Sequence, residues 1–364
     1  MFKALTMSSN TNLGSFEVLP TVDVRKAAMF TDIHWGKRNN SHIHNNDCLE
    51  FIQFFCEQVV ADKEIDAVMF LGDWFENRNA VNISTLNYSH RGLDALNKLG
   101  KPIYFCVGNH DLYHRHHRDI HSAVMFGQYS NITLIDHPKV MGDFLLCPYL
   151  FGAEYGELLH YNKMKYFAGH FEFKNFIMTG NSRLEHGPEH TNYDGVTYIF
   201  SGHFHKRQAS DNVIYIGNTF PTDYGDSGDP ERGMCVLDTR NDDIQFINWE
   251  QCPMFMRTTL SKVLDGEFDP TPKTRVKCML DVEISYSEAQ ALKQGMIEEF
   301  NLREFALEEN LIEKKLAISE GGSEAEIDDL ELSSIDEMVT NLLMTVNSTT
   351  TIDATKLVKI FRDL

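Results

Sequence analysis

Between about residue 26 and residue 250, short apolar runs, each bounded by Gly, Asn or Asp, alternate with longer stretches at helical spacing such as Asp47–Val60 and Ser84–Leu99. Strand-sized runs separated by helices predict α/β layering, because parallel strands need a crossover that a helix supplies. Residues 274–284 read differently: Val276, Cys278, Leu280, Val282 and Ile284 fall on every second position, the pattern of a half-buried strand. A charged helix is expected to follow from Ser287 to about Leu316. Pro270 and Pro272 interrupt the chain just before this small α+β unit, which places a domain boundary near residue 255. Beyond the acidic stretch GGSEAEIDDLE (321–331), Ile335, Met338, Val339, Leu342, Leu343 and Val346 recur at i, i+3, i+4, i+7, i+8 and i+11. That spacing gives a helix with one apolar stripe. Leu357, Val358, Phe361 and Leu364 continue the theme after NSTTT (347–351).

At 364 residues and 42% hydrophobic, the chain exceeds one small module and has apolar mass for a sizeable core. No apolar run reaches the roughly 18 to 20 residues of a membrane span, so no membrane partner is expected. The opening MFKALTMSSNTNLGSFEVLP lacks the continuous apolar region of a secretory signal. The seven cysteines are odd in number, scattered and never spaced CxxC, which suggests reduced thiols and a cytoplasmic location. Net charge is −20, from 33 basic and 53 acidic residues, and residues 261–364 alone hold 11 basic against 22 acidic. Such a balance excludes a protein that grips nucleic acid through a global positive field. Any such contact has to be local.

Five of the apolar runs end in a possible metal ligand: AAMFT before Asp32 and His34, AVMFLG before Asp73, IYFCVG before Asn109 and His110, KYFAG before His170, and YIFSG before His203 and His205. In open α/β sheets, ligands gather at the carboxyl ends of strands, so these residues can converge on one edge. One such pair is a weak pointer; five in matching context form a single candidate site. A mixed oxygen and imidazole set without thiolate suits Mn2+, Fe2+ or Zn2+, with Mn2+ the first choice. Eight candidate groups over-serve one cation and suit two, about 3.5–4 Å apart. Paired cations activate water and neutralise phosphoryl oxygens, so phosphate-ester hydrolysis is the natural reaction. It also needs a group near the leaving oxygen, and His110 is the candidate.

DxH, GDxF, GNHD, GH and GHxH, in this order from about Lys26 to Asn248, resemble the calcineurin-like metallophosphoesterases. DIHWG, GDWFE, GNHD, GHFE and SGHFH are more narrowly similar to the nuclease subunit of SbcCD-type double-strand-break repair complexes, nearest to the recombination nucleases of T-even phages. The location expected of a phage-encoded member is the host cytoplasm. The resemblance implies a four-layer α/β/β/α sandwich, with Asp32, His34 and His205 holding one metal, Asn109, His170 and His203 the other, and Asp73 bridging them. It gives His110 contact with the scissile phosphate and makes Asp111 the residue that orients it. One departure is visible: the family commonly reads GDxFH, and this chain has Glu76 where that histidine stands. The resemblance also divides the chain into an extension (1–20, read as a disordered arm), a nuclease domain (21–254), a capping domain that helps position DNA (255–318), an acidic linker (319–331) and C-terminal helices (332–364).

Positive charge gathers beside four of the motifs: Lys37 and Arg38, Arg78, Arg115 and Arg118, Lys206 and Arg207. On so acidic a chain a basic rim suits a polyanionic backbone, and DNA is the expected substrate. Trp35, Trp74 and Tyr113 stand next to the motifs, where they could stack on bases or, for Trp74 equally, pack in the core. His114, His116, His117 and His121 read as a solvated loop or helix. The C-terminal helices cannot bury their stripes on a 40-residue segment and call for a partner. In the family this is an SbcC-type coiled-coil ATPase, gripped here through Leu342, Leu343, Leu357 and Phe361, and homodimerisation is expected as well. No GxxxxGK[ST] loop occurs in this chain. The reading is therefore a metal-dependent DNA exonuclease or endonuclease subunit. The rival is a phosphatase or cyclic-nucleotide phosphodiesterase on the same metal scaffold, although GDWFENR lacks the GDxxDRG pattern of serine/threonine phosphatases.

Overall fold

The structure, a computed structural model, describes residues 16–20, 23–179 and 182–309. The expectations for residues 1–15, the acidic linker and the C-terminal helices with Leu342, Leu343, Leu357 and Phe361 lie outside the described residues. Described residues up to Cys278, together with Val282–Leu307, pack as one compact unit; the second unit is described only at Met279–Asp281 and Glu308–Glu309.

In chain order the strands are β1 (Glu17–Val18), β2 (Lys26–Phe30), β3 (Ala67–Phe70), β4 (Ile103–Cys106), β5 (Ile132–Ile135), β6 (Lys139–Met141), β7 (Phe144–Cys147), β8 (Tyr166–Gly169), β9 (Ile177–Thr179), β10 (Ser182–Arg183), β11 (Tyr198–Ser201), β12 (Gln208–Ser210), β13 (Val213–Tyr215), β14 (Gly233–Asp238), β15 (Asp243–Asn248), β16 (Phe255–Thr259), β17 (Arg275–Leu280) and β18 (Glu304–Glu309). The long helices are α1 (His42–Ala61), α2 (Ile83–Asn97) and α3 (Tyr286–Phe300). One sheet has the order β15-β14-β2-β3-β4-β5 and a second β1-β6-β7-β8-β11-β13-β12; β9 pairs with β10, and β16, β17 and β18 make a small sheet in that order.

Side-chain alternation explains the continuous apolar runs. In β2, Ala27 and Met29 point toward the second sheet, where they meet Phe144, Leu146, Tyr166 and Phe200. Ala28 and Phe30 point the other way, onto Phe51 and Phe55 of α1. Strands covered on both faces carry apolar residues at every position, whereas a half-exposed strand alternates. In α1, Cys48, Phe51, Ile52, Phe55 and Val59 form the buried stripe, and burying each of the larger side chains contributes about 1.5–3 kcal/mol. The outer face of the second sheet is covered by the short turns Glu154–Glu157, Leu158–Tyr161 and His190–Tyr193, through Tyr155, Leu158 and Tyr193. The expected four-layer sandwich is therefore present, with its outer layer on this side built from single turns rather than long helices.

Three expectations change. Residues 16–20 do not form a free arm: β1 pairs in parallel with β6, Leu19 is buried, and the Phe16 amide donates to the Tyr161 hydroxyl over 2.7 Å. The helix expected to reach Leu316 starts at a Ser285–Glu288 capping box and stops at Phe300. Asn301 adopts a left-handed conformation (φ 52°), which a short polar side chain tolerates, and the chain returns as β18. The alternating strand likewise ends at Leu280 rather than Ile284. Among the described residues, no helix is long and apolar enough to cross a membrane, and no disulfide joins any of the seven cysteines.

Candidate metal centre

β2, β3 and β4 are parallel neighbours in one sheet, and β8 and β11 in the other. Their carboxyl ends therefore lie at one edge of the sandwich. Phe30 pairs with Phe70 and Phe70 with Phe105, so Asp32, Asp73 and Asn109 each leave the sheet within four residues of an aligned row. Gly169 pairs with Ser201, which brings His170 and His203 alongside each other. The ladder continues past the strands, with the amides of Asp32, His34 and Trp35 donating to the carbonyls of Gly72, Asp73 and Trp74 at 3.0, 3.2 and 2.8 Å. Two side chains on α1 clamp this extension. Asn45 Oδ1 accepts from the Gly36 amide at 2.8 Å, and His44 Nε2 lies 2.9 Å from the His34 carbonyl oxygen.

All seven proposed metal ligands meet at this edge. Ligating atoms of Asp32, His34 and His205 lie within 4.8 Å of one another, as do those of Asp73, His170 and His203. His34 Nε2 is 3.1 Å from His205 Nε2 and 3.8 Å from Asp32 Oδ1. Asn109 Oδ1 is 2.8 Å from His170 Nε2 and 2.9 Å from His203 Nδ1. Asp73 stands between the two groups: its Oδ2 is 3.8 Å from His34 Nε2 and 3.4 Å from His170 Nε2. Asp32, His34, Asp73 and His170 are buried.

The backbone is held in uncommon conformations to achieve this. Asp32, His34, Asp73 and His203 have φ of 52°, 51°, 61° and 83°, values that side-chain-bearing residues adopt at an energetic cost and that cluster at functional sites. Gly72 has φ 109°, and a Cβ there would run into the His170 ring; a Cβ on Gly108 would collide with Asp73. Gly72 is thus demanded by space as much as by its backbone conformation, and Gly108 by space.

The electrostatics suit cations. Burial works to raise the Asp73 carboxyl, yet His170 and His110 hold it well below its usual 3.8. Asp32 is lowered in the same way, chiefly by His34 against burial. Burial works to lower His34, but Asp32 and Glu76 outweigh it and carry the ring up to about 10; Asp73 similarly lifts His170 to about 9. Burial and the neighbouring His34 push His205 down to about 4. A buried donor set this eager for positive charge, made of imidazole nitrogens and carboxylate or amide oxygens, fits borderline divalent cations.

His110 adjoins the cage. Its amide donates to Asp73 Oδ1 over 2.7 Å, and its ring Nδ1 is 2.8 Å from the Glu76 carbonyl oxygen. Burial lowers its pKa below 6.5. The expectation that Asp111 orients this ring is corrected: the Asp111 carboxylate accepts from the amides of Gly108, Asp73, Trp74 and Phe75 at 2.9–3.2 Å, so it shapes the loops, while the Glu76 carbonyl faces the ring.

The basic rim is thinner than its sequence suggests. Arg118 is buried in a bidentate pair with Glu154 and does not face solvent. Arg207 donates to Asn248 at 2.7 Å and lies over Phe246; Arg38 lies over Phe255. Lys37 and Arg78 are half-buried, and Arg115 and Lys206 are exposed. Trp35 and Trp74 pack in the core and cannot stack on bases, whereas Tyr113 is exposed. His114, His117 and Asp119 converge on the same loop, where His114 and His117 stack and His117 pairs with Asp119.

Sequence reasoning missed Glu172 and Tyr149. The Tyr149 hydroxyl donates to Glu172 Oε2 over 2.7 Å, and Glu172 Oε1 lies 3.8 Å from His203 Nε2. Glu172 falls within the GHFE motif, which offered a signal; Tyr149 carried none.

A sandwich of two sheets with histidines, carboxylates and an asparagine caged at its parallel strand tips is the architecture of a metallophosphoesterase. Residues 25–207 match the calcineurin-like phosphoesterase family, and the chain belongs to that family. It is 30% identical over 186 residues to exonuclease subunit 1 of Enterobacteria phage T4, covering 48% of this chain and 54% of that protein, so it spans about half the length of this curated relative. Among solved structures it is similar to a dimetal phosphatase from Danio rerio (TM-score 0.36, 9% identity, 59% of this chain and 92% of that one) and to the nuclease MPE of Pseudomonas putida (TM-score 0.26, 17% identity, 49% and 61%). Both scores are low, and the family assignment rests on the sequence match.

Proposed function

We propose that this chain is a divalent-metal-dependent DNA nuclease subunit that hydrolyses backbone phosphodiesters during recombination and break repair. The observation that carries this reading is the position of Asp73 Oδ2, which faces His34 of one donor group and His170 of the other. Asp32, His34 and His205 would hold one cation, Asn109, His170 and His203 a second, with Asp73 shared and Mn2+ the first choice. When bound, the cations supply Lewis acidity that activates water and neutralises the phosphoryl oxygens.

The remaining work falls to the chain. With Nδ1 turned to the Glu76 carbonyl, His110 keeps its Nε2 for substrate. A phosphodiester at Nε2 favours the protonated ring, which then donates to the departing sugar oxygen. Lys37, Arg38, Arg78, Arg115 and Lys206 remain as contacts for the DNA backbone. The phage relative's name, an exonuclease subunit, supports both the substrate and the existence of a partner. That partner would be an SbcC-type coiled-coil ATPase bound through residues 332–364, with residues 255–318 as the capping domain and the nuclease working as a homodimer.

The test is a digest with Mn2+ of linear duplex DNA beside a phosphoprotein and a cyclic nucleotide. Shortening of the DNA is expected. Turnover of the other substrates with the DNA left intact would assign the scaffold to a phosphatase or cyclic-nucleotide esterase.

A further inference from the structure

Glu76 occupies the position where the resembled family commonly has histidine, and the structure gives it two imidazole neighbours. Its Oε2 lies 2.8 Å from His34 Nδ1, and its carbonyl oxygen lies 2.8 Å from His110 Nδ1. The loop carrying it is fixed by the backbone: the Glu76 amide donates to the Trp35 carbonyl over 3.0 Å, and Trp35 and Phe75 form a parallel bridge. Trp35, Trp74 and Phe75 are all buried beneath it. Resting on the metallonuclease reading, we propose that Glu76 is a positioning residue for both parts of the site, its carboxylate setting His34 as a metal ligand and its backbone carbonyl setting His110 toward the substrate.

Two physical arguments support this. First, His34 Nδ1 and Glu76 Oε2 are sealed from solvent and neither makes an aligned hydrogen bond among the described residues; they face each other as an ion pair at 2.8 Å. Buried polar atoms without a partner are costly, so each of these requires the other. Second, an ionised carboxylate and a carbonyl only accept. Opposite either of them an imidazole carries its proton on Nδ1 and leaves the Nε2 lone pair free. His34 Nε2 is the atom that faces His205, Asp32 and Asp73. A carboxylate behind a ligating imidazole also raises the ligand's basicity, which a neutral histidine at this position would do less.

The two contacts come from different parts of one residue and can be separated. Glu76→Gln removes the carboxylate facing His34 and leaves the carbonyl facing His110. In the full chain, calorimetric titration with Mn2+ is expected to show about 10- to 100-fold weaker binding at one of two sites, and DNA turnover should return when Mn2+ is raised. Nitrogen-15 spectra of the protein loaded with diamagnetic Zn2+, where a ligating His34 is no longer an imidazolium, give an independent reading of which ring nitrogen carries the proton. The wild-type protein should show Nδ1–H at both His34 and His110, and the variant should keep the His110 signal while His34 needs more Zn2+ to reach its bound form. Unchanged Mn2+ affinity, an Nε2–H tautomer at His34 in the wild type, or a loss of turnover that no Mn2+ restores in a folded variant would overturn the assignment. A wild-type chain that binds Mn2+ yet digests no DNA would remove the nuclease reading and leave this one standing.

Discussion

The His110 amide donates a 2.7 Å hydrogen bond to Asp73 Oδ1, while Oδ2 of the same carboxylate faces the two histidine groups. The carboxylate proposed to share the cations and the histidine proposed to meet the substrate are therefore locked in one register. Because this link uses the backbone of residue 110, its side chain can be removed without disturbing it.

His110→Ala should therefore bind metal as the parent does and lose about 10²- to 10⁴-fold in DNA hydrolysis. Calorimetry with Mn2+ and single-turnover kinetics check the two halves. Near-parental turnover would take His110 out of the chemistry.

Asp73→Asn keeps the shape and removes the shared charge. Cation binding should weaken at both sites together, with hydrolysis lost at ordinary Mn2+ levels. Weakening at a single site, seen in the same titration, would show that Asp73 is not shared.

Gly72→Ala forces a Cβ into the His170 ring at φ 109°. Overpacking and strain of this kind cost about 1–3 kcal/mol, to be read from urea denaturation, and displacement of His170 should lower Mn2+ affinity with it. A variant as stable as the parent would mean the loop yields.

How far the site was legible in the sequence depended on which physics set each feature. Asp32, Asp73, Asn109, His170 and His203 could be placed together because each follows a short apolar run, and parallel pairing puts such ends at one edge. The fate of Trp35, Trp74 and Arg118 could not be read, since a neighbour decides whether such side chains are exposed: Gly92 leaves room beneath the Trp35 ring, and Glu154, 36 residues away, draws in Arg118. The end of α3 hinged on one left-handed residue, Asn301, inside a run of good helix formers. Tyr149 reaches the site through Glu172 and through its ring contacts with His170 and His203, contacts between side chains that no local pattern encodes.

Arg232 is fully buried against Asp226 and Asp229, at 3.3 and 2.8 Å. Burial works to raise the Asp226 carboxyl, but Arg232 and the Thr222 amide hold it below 3.8. A carboxyl depressed in the folded state contributes stability that is present above about pH 3.8 and is lost as pH falls through its folded value. Asp226→Asn should thus cost about 3 kcal/mol at pH 7, the low end for breaking a buried pair because Asp229 remains, and the deficit should shrink on acidification below pH 4. A deficit independent of pH in denaturant titrations would assign the loss to packing.

The most direct test of the account is the number of divalent cations bound per chain, counted by elemental analysis after equilibration with Mn2+ and gel filtration. Two in the wild type are expected, with one lost in His205→Ala and the other in His170→Ala. One or none in the wild type, or two retained in both variants, would contradict the shared cage on which the proposed chemistry stands.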